Sequence, residues 1–202
     1  CTAGQFKNGK YVGTPIRKNL FGRNKEASKA AFGLDSRPTV IVFGGGSGSK
    51  IINVNIRKIA FELCKKINIL HLCGKNNVVD SNVYGYKQIE FADDMGAVYA
   101  CADSAVARCG SNSANELIAL KIPTLFIPLE NSSTRGDQIK NAEYFQNASL
   151  CRTLRETELN AENQKNEIFN LLHDEKLKSE LAESKIECGN NAILNEIRLI
   201  LR

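Results

Sequence analysis

The sequence predicts an α/β protein built on a doubly wound parallel sheet, and three observations carry that expectation. From Thr39 onward, short apolar runs alternate with longer stretches whose apolar residues recur at helical spacing. The runs are continuous and rich in β-branched residues, as strands buried on both faces require. The loops that follow several of them are rich in glycine, serine and asparagine, the residues of strand-to-helix turns. Together these give a Rossmann-like fold with helices on both faces of the sheet.

The first strand is Thr39–Phe43, and the helix after it, Lys50–Lys66, sets Ile52, Ile56, Ile59, Ala60 and Leu63 on one face. Strands follow at Ile67–Leu72 and Lys87–Phe91, then a helix at Asp94–Ala102. A strand at Ser104–Arg108, a helix at Ser113–Leu120, a strand at Pro123–Pro128 and a helix at Asp137–Phe145 complete the alternation. After Cys151 the texture turns wholly helical: Asn160–Leu172, Lys176–Glu187 and Ala192–Leu201 are amphipathic, with Cys188–Asn191 as a break. Residues 1–38 hold scattered glycines and prolines and one short helical stretch, Asn24–Phe32. The expected organisation is an interdomain lead-in at 1–38 and a ligand-binding domain with C-terminal helices at 39–202.

Composition narrows the class. Hydrophobic residues make up 43% and charged residues 24%, enough for a core and too little charge for a disordered chain. Apolar runs such as Val40–Phe43 fall far short of the roughly 18–20 residues of a membrane span. The chain opens on Cys1 and polar residues, so no signal peptide is expected and the sequence reads as part of a longer product. Seven cysteines are scattered without a C-x-x-C pair, and His71 and His173 lie apart from any cysteine cluster. Reduced, mostly buried thiols are expected, with no metal and no cofactor. The net charge of +5 is concentrated in residues 1–38, where eight Lys and Arg stand against two Asp and Glu. The excess is confined to that one segment and reads as a solvated arm, so no nucleic-acid partner is expected.

Three loops fall where ligands bind in an open α/β sheet, at the carboxyl ends of strands. Gly44–Ser49 follows the first strand; its glycines let backbone N–H groups approach an anion, or simply make a tight turn. It lacks the lysine of a Walker loop, and Ser49 stands where a dinucleotide fingerprint has its third glycine. Arg108–Glu116 ends a strand and opens a helix, with Ser111 or Asn112 as the expected N-cap. Two readings of Glu116 stand: a bidentate acceptor for adjacent ribose hydroxyls, or a capping box folded back on the helix start. The third loop leads into Asp137–Ala142, with Asp137 placed as an N-cap and Gln138 and Asn141 on one helix face.

In this order and spacing the loops resemble those of the GT-B glycosyltransferases, specifically the donor-binding half of glycosyltransferase family 28. The matching stretches are Gly13–Arg17, Gly44–Ser49, Ile89–Met95, Arg108–Glu116 and Asp137–Ala142. The resemblance implies a UDP-N-acetylglucosamine donor, bound without metal. Arg17 would contact the donor, Gly45, Gly46 and Ser47 would form the glycine loop, and Ala92 would meet the uracil. Ser111, Asn112, Ser113, Ala114 and Asn115 would wrap the diphosphate, Glu116 would hold the ribose, and Asp137 with Gln138 would bind the sugar. Gly46 departs from the family pattern, which has serine there, so that hydroxyl contact is lost or taken over by Ser47. The resemblance implies transfer of GlcNAc to undecaprenyl-diphosphate-linked MurNAc-pentapeptide in peptidoglycan synthesis, at the cytoplasmic face of the bacterial membrane. The family's acceptor loops and general base lie in an N-terminal domain that no stretch here matches, so no catalytic residue is expected in this chain. Alternatives are a natural subunit of a split transferase and a non-catalytic nucleotide-sugar-binding module.

Overall fold

A computed structural model describes residues 10, 12–130, 136–184, 186 and 188–201. Six parallel strands form one sheet: β1 (Thr39–Phe43), β2 (Asn68–Leu72), β3 (Tyr86–Ile89), β4 (Ser104–Ala107), β5 (Thr124–Phe126) and β6 (Arg152–Thr153). Their order is β3-β2-β1-β4-β5-β6. Ile41 pairs with Leu70 on one side and Ala105 on the other, and every residue of β1, β2 and β4 is buried. That burial on both faces explains why these strands show no apolar–polar alternation, with Thr39, Asn68, His71 and Ser104 as their buried polar members.

Among the described residues there are eight α-helices: α1 (Lys25–Ala31), α2 (Lys50–Leu63), α3 (Met95–Cys101), α4 (Ser111–Ala119), α5 (Asp137–Asn147), α6 (Ala161–Leu172), α7 (Glu175–Glu183) and α8 (Asn190–Ile200). The strand order reverses at β1, so right-handed crossovers send α2 to one face and α3 and α4 to the other. On the first face α2 packs against α6, which also lies over β4 and β5; on the second α1 packs against α3 and α4 against α5.

Two sequence expectations are corrected at helix starts, and one strand is added. The N-cap of α4 is Gly110, not Ser111 or Asn112, which are the first two helical residues. The N-cap of α5 is Gly136, at φ +71°, a left-handed conformation that glycine adopts without steric cost, and the expected cap Asp137 is the first helical residue. The added strand is β6, two residues pairing with Leu125 and Phe126. It is too short to carry a periodic signal.

The lead-in packs as part of the same body. Ile16, Leu20 and Leu34 are buried in the core shared with the sheet. Thr14 bridges Cys188, the Gly189 N–H donates to the Thr14 carbonyl, and the Asn190 side chain both accepts from the Ile16 N–H and donates to the Ile16 carbonyl. A Cβ at Gly189 would strike the Val12 carbonyl, so this clasp needs glycine. It delivers Arg17 to the carboxyl end of the sheet.

Candidate functional site

The strand order changes direction between β1 and β4, and a cleft of about 620 Å³ opens beyond their carboxyl ends. Gly45 and Gly46 of the loop after β1 form one wall. A Cβ on either would meet nothing within 4 Å, so their backbone faces open space. Gly48, in the same loop, has the opposite role: its φ is +77° and a Cβ there would strike the Cys73 carbonyl. The loop is thus both things its sequence allowed, a turn locked against Cys73-Gly74 and a bare backbone wall.

The opposite wall is the start of α4. The first i to i−4 hydrogen bond of this helix runs from the Ala114 N–H to the Gly110 carbonyl, at 2.9 Å. The N–H groups of Ser111, Asn112 and Ser113 precede it and so have no partner within the helix. All three residues line the cleft, where the helix dipole favours negative charge.

Glu116, one turn further on, presents its carboxylate to the same space with only 13% of its side chain exposed. The Tyr99 hydroxyl donates to Oε2 at 2.8 Å, and Arg17 Nη2 approaches Oε1 at 3.5 Å. The capping-box reading of Glu116 is therefore overturned, because its carboxylate pairs with α3 and the lead-in. Burial, then the neighbouring Glu116 charge, push the Tyr99 phenol far above its usual value, so it remains a donor.

The end of the cleft toward β2 and β3 is apolar. Phe43, Leu72, Met95 and Phe91 line it, the last with 64% of its surface exposed. Glu90 beside them accepts from the Asn76 N–H at 2.8 Å.

Beneath the glycine loop lies an arginine to which sequence reasoning gave no role. Arg108 is buried; its guanidinium donates to the carbonyls of Ile127 and Pro128 and to Ser49 Oγ at 2.9 Å, and pairs with Glu156. Glu156 in turn accepts from the Glu130 N–H. One cation thus ties the head of α2 to the ends of β4 and β5. Its only sequence signal is a charge at the end of an apolar strand.

The sequence profile of the glycosyltransferase family 28 C-terminal domain matches residues 39–194. The chain belongs to this family. A Clostridium perfringens (strain SM101 / Type A) protein named UDP-N-acetylglucosamine--N-acetylmuramyl-(pentapeptide) pyrophosphoryl-undecaprenol N-acetylglucosamine transferase is 37% identical over 195 residues. Those cover 94% of this chain and 55% of that protein. The Clostridium novyi (strain NT) protein of the same name is 36% identical over 197 residues, 95% of this chain and 55% of its own. The crystal structure of Acinetobacter baumannii MurG has the same fold, with a TM-score of 0.72 at 18% identity, over 94% of this chain and 56% of that one. The chain spans about half the length of the curated relatives it matches.

Of the residues that family 28 resemblance singles out, the fold brings Arg17, Gly45, Gly46, Ser111, Asn112, Ser113 and Glu116 to one cleft. The others fall outside its lining. Ser47 is exposed outside the lining, with its carbonyl toward Gly74. Ala114 is fully buried, and Asn115 donates to the Ser111 carbonyl. Ala92 is buried just past Phe91. Asp137 is the first residue of α5, and Gln138 Oε1 accepts from the Leu129 N–H at 3.1 Å, which among the described residues leaves its amide nitrogen available at the head of α5 beyond the cleft lining. Asn141 donates to the Cys109 carbonyl, holding α5 against the loop after β4. Asp94 caps α3, accepting from the Ala97 N–H and pairing with Arg23. Among the described residues, no group of three or more His, Cys, Asp or Glu is placed to hold a metal ion.

Proposed function

We propose that this chain is the donor-binding half of a peptidoglycan N-acetylglucosaminyltransferase and holds UDP-N-acetylglucosamine in the cleft between β1 and β4. The observation that carries the reading is the Glu116 carboxylate, turned from its own helix start and held at the wall beside the bare N-terminus of α4. A carboxylate suits a vicinal diol and a helix N-terminus suits a phosphate. Side by side they match a nucleoside diphosphate. Phe91, Leu72 and Met95 supply an apolar surface for the base. Arg17, Gly45 and Gly46 border the diphosphate, and Asp137 and Gln138 at the head of α5 reach the sugar hydroxyls. The relatives' names supply the sugar and the acceptor.

In the transfer itself, an acceptor hydroxyl attacks the anomeric carbon, and the bond from that carbon to the β-phosphate oxygen breaks. The hydroxyl proton passes to a base on the acceptor-binding domain, and UDP leaves with the bonding pair. The contribution of this chain is to stabilise that charge through the N–H groups of Ser111–Ser113, the α4 dipole and Arg17. In this reading residues 1–38 link the two domains, and the assembled enzyme works at the cytoplasmic membrane face. Among the described residues, no helix is long and apolar enough to cross a membrane.

Calorimetric titration of the chain with UDP, UDP-N-acetylglucosamine, UDP-glucose and UDP-galactose tests the proposal. Binding of UDP with preference for the N-acetylglucosamine conjugate is expected; no heat at millimolar UDP overturns the reading. Glu116→Ala removes charge-assisted hydrogen bonds worth about 1.5–3 kcal/mol, so UDP affinity should fall about 10- to 100-fold.

A further inference from the structure

We infer that Tyr99 is a positioning residue for ribose recognition, its hydroxyl fixing the Glu116 carboxylate so that each oxygen keeps a lone pair turned to the cleft. The inference rests on the reading of Glu116 as the ribose acceptor and adds the device that makes it selective.

Glutamate has three rotatable bonds, and a carboxylate that accepts from two adjacent hydroxyls must hold both oxygens in the plane of the diol. An unrestrained side chain would lose that freedom only on binding, at a cost in affinity. The structure removes it beforehand. Tyr99 sits on α3 and Glu116 on α4, so the hydroxyl reaches across from a separate rigid element to Oε2 at 2.8 Å. The tyrosine ring is buried and packs near Phe43 at 6.2 Å between centroids, which leaves the hydroxyl little freedom of its own. Arg17 makes a weaker second contact at 3.5 Å on Oε1, from a side chain that is 57% exposed.

The lone-pair count then fits a diol. Two carboxylate oxygens offer about four acceptor sites. Tyr99 and Arg17 take one on each oxygen, and one on each remains for a ligand donor. Two neighbouring hydroxyls of a ribose match that remainder. Tyr99 borders the cleft, but its hydroxyl proton is spent on Glu116 and it acts through that carboxylate.

Tyr99→Phe in the 202-residue chain, titrated with UDP and with 2′,3′-dideoxy-UDP, isolates the effect. The parent protein should favour UDP by about tenfold, since charge-assisted hydrogen bonds to the diol are lost with the dideoxy ligand. In the variant UDP affinity should fall about three- to tenfold, while 2′,3′-dideoxy-UDP affinity stays within about twofold. The preference for ribose therefore collapses with the diphosphate contacts intact. Equal weakening of both ligands assigns the hydroxyl a purely structural role and overturns the inference, and so does no change in either. A parent protein that binds both ligands alike overturns the ribose reading of Glu116 itself. Tyr99→Met, which fills the space without a hydroxyl, repeats the test should the phenylalanine variant fold poorly.

Discussion

Two buried tyrosine hydroxyls in this molecule face a titratable partner at the same 2.8 Å, and the two partners live in different surroundings. On the α2 face, Tyr86 meets His71 Nδ1, while His71 Nε2 meets Asn53 Oδ1 at 3.0 Å and Asn53 Nδ2 donates to the Cys73 carbonyl. Because the Asn53 amide nitrogen is committed to Cys73, its oxygen faces the ring, so Nε2 carries the imidazole proton and Nδ1 accepts from Tyr86. Both ring nitrogens are used and His71 is wholly buried. On the α3–α4 side, Tyr99 meets a carboxylate that keeps acceptor capacity at an open cleft. The closed network is spent within the fold, whereas the open one leaves acceptors at the cleft. The same hydrogen bond therefore serves stability in one place and, under the proposed function, recognition in the other.

The sharpest way to break that contrast is to remove a centre from each network. Asn53→Leu orphans the His71 Nε2–H and the Cys73 carbonyl, each costing about 1–3 kcal/mol when dry, so unfolding free energy in urea should drop by about 2–5 kcal/mol. It also slackens the strand end against which Gly48 is locked. Glu116→Gln should change stability by less than about 0.5–1 kcal/mol, because the amide oxygen still accepts from Tyr99 and water fills the rest. Similar losses in the two variants would erase the distinction.

The fold was legible where the signal is local. Thr39–Phe43 matches β1 residue for residue, and Lys50, Asp137 and Leu172 were placed at true helix ends. Ser111, Asn112 and Asp137 have strong capping chemistry, yet the backbone turned at Gly110 and Gly136 instead. Of the candidate site, the strand-end loops could be read because glycine and asparagine mark them. The partner of Glu116 could not. Tyr99 lies 17 residues upstream on another helix, and only the packing of α3 beside α4 brings them together. Arg108 escaped for the same reason, since its acceptors come from Ser49, Ile127, Pro128 and Glu156. Two readings of Glu116 fitted its spacing equally, and a tertiary contact removed one of them, the capping box.

Acid should expose the closed network. Burial, then the charge of Arg57, hold His71 down at about 3, against an ordinary value of about 6.5. The unfolded chain takes up a proton below pH 6.5 and the folded one does not. The stabilisation is therefore fully present above pH 6.5 and is lost as pH falls toward 3, by about 1.4 kcal/mol per unit. Asp35 is also held low, chiefly by its hydrogen bond from Arg37, but its loss begins only near the ordinary carboxylate range. Urea titrations between pH 6.5 and 4.5 thus isolate His71. A flat profile there would mean that water reaches the ring.

The smallest difference separates the two hydroxyls themselves. Tyr86→Phe leaves the wholly buried His71 Nδ1 facing an apolar ring without its donor, so a loss of about 1–2 kcal/mol in unfolding free energy is expected. Tyr99→Phe removes a bond of the same length to a charged acceptor, and pairwise strength alone would make it the costlier change. Access to solvent reverses that order. Glu116 Oε2 borders the cleft, water entering there restores its hydrogen bond, and the expected loss is about 0.5 kcal/mol or less. Finding Tyr99→Phe the more destabilising of the two would mean that the Glu116 carboxylate is sealed in the free protein. Its spare acceptors would then be closed to any ligand.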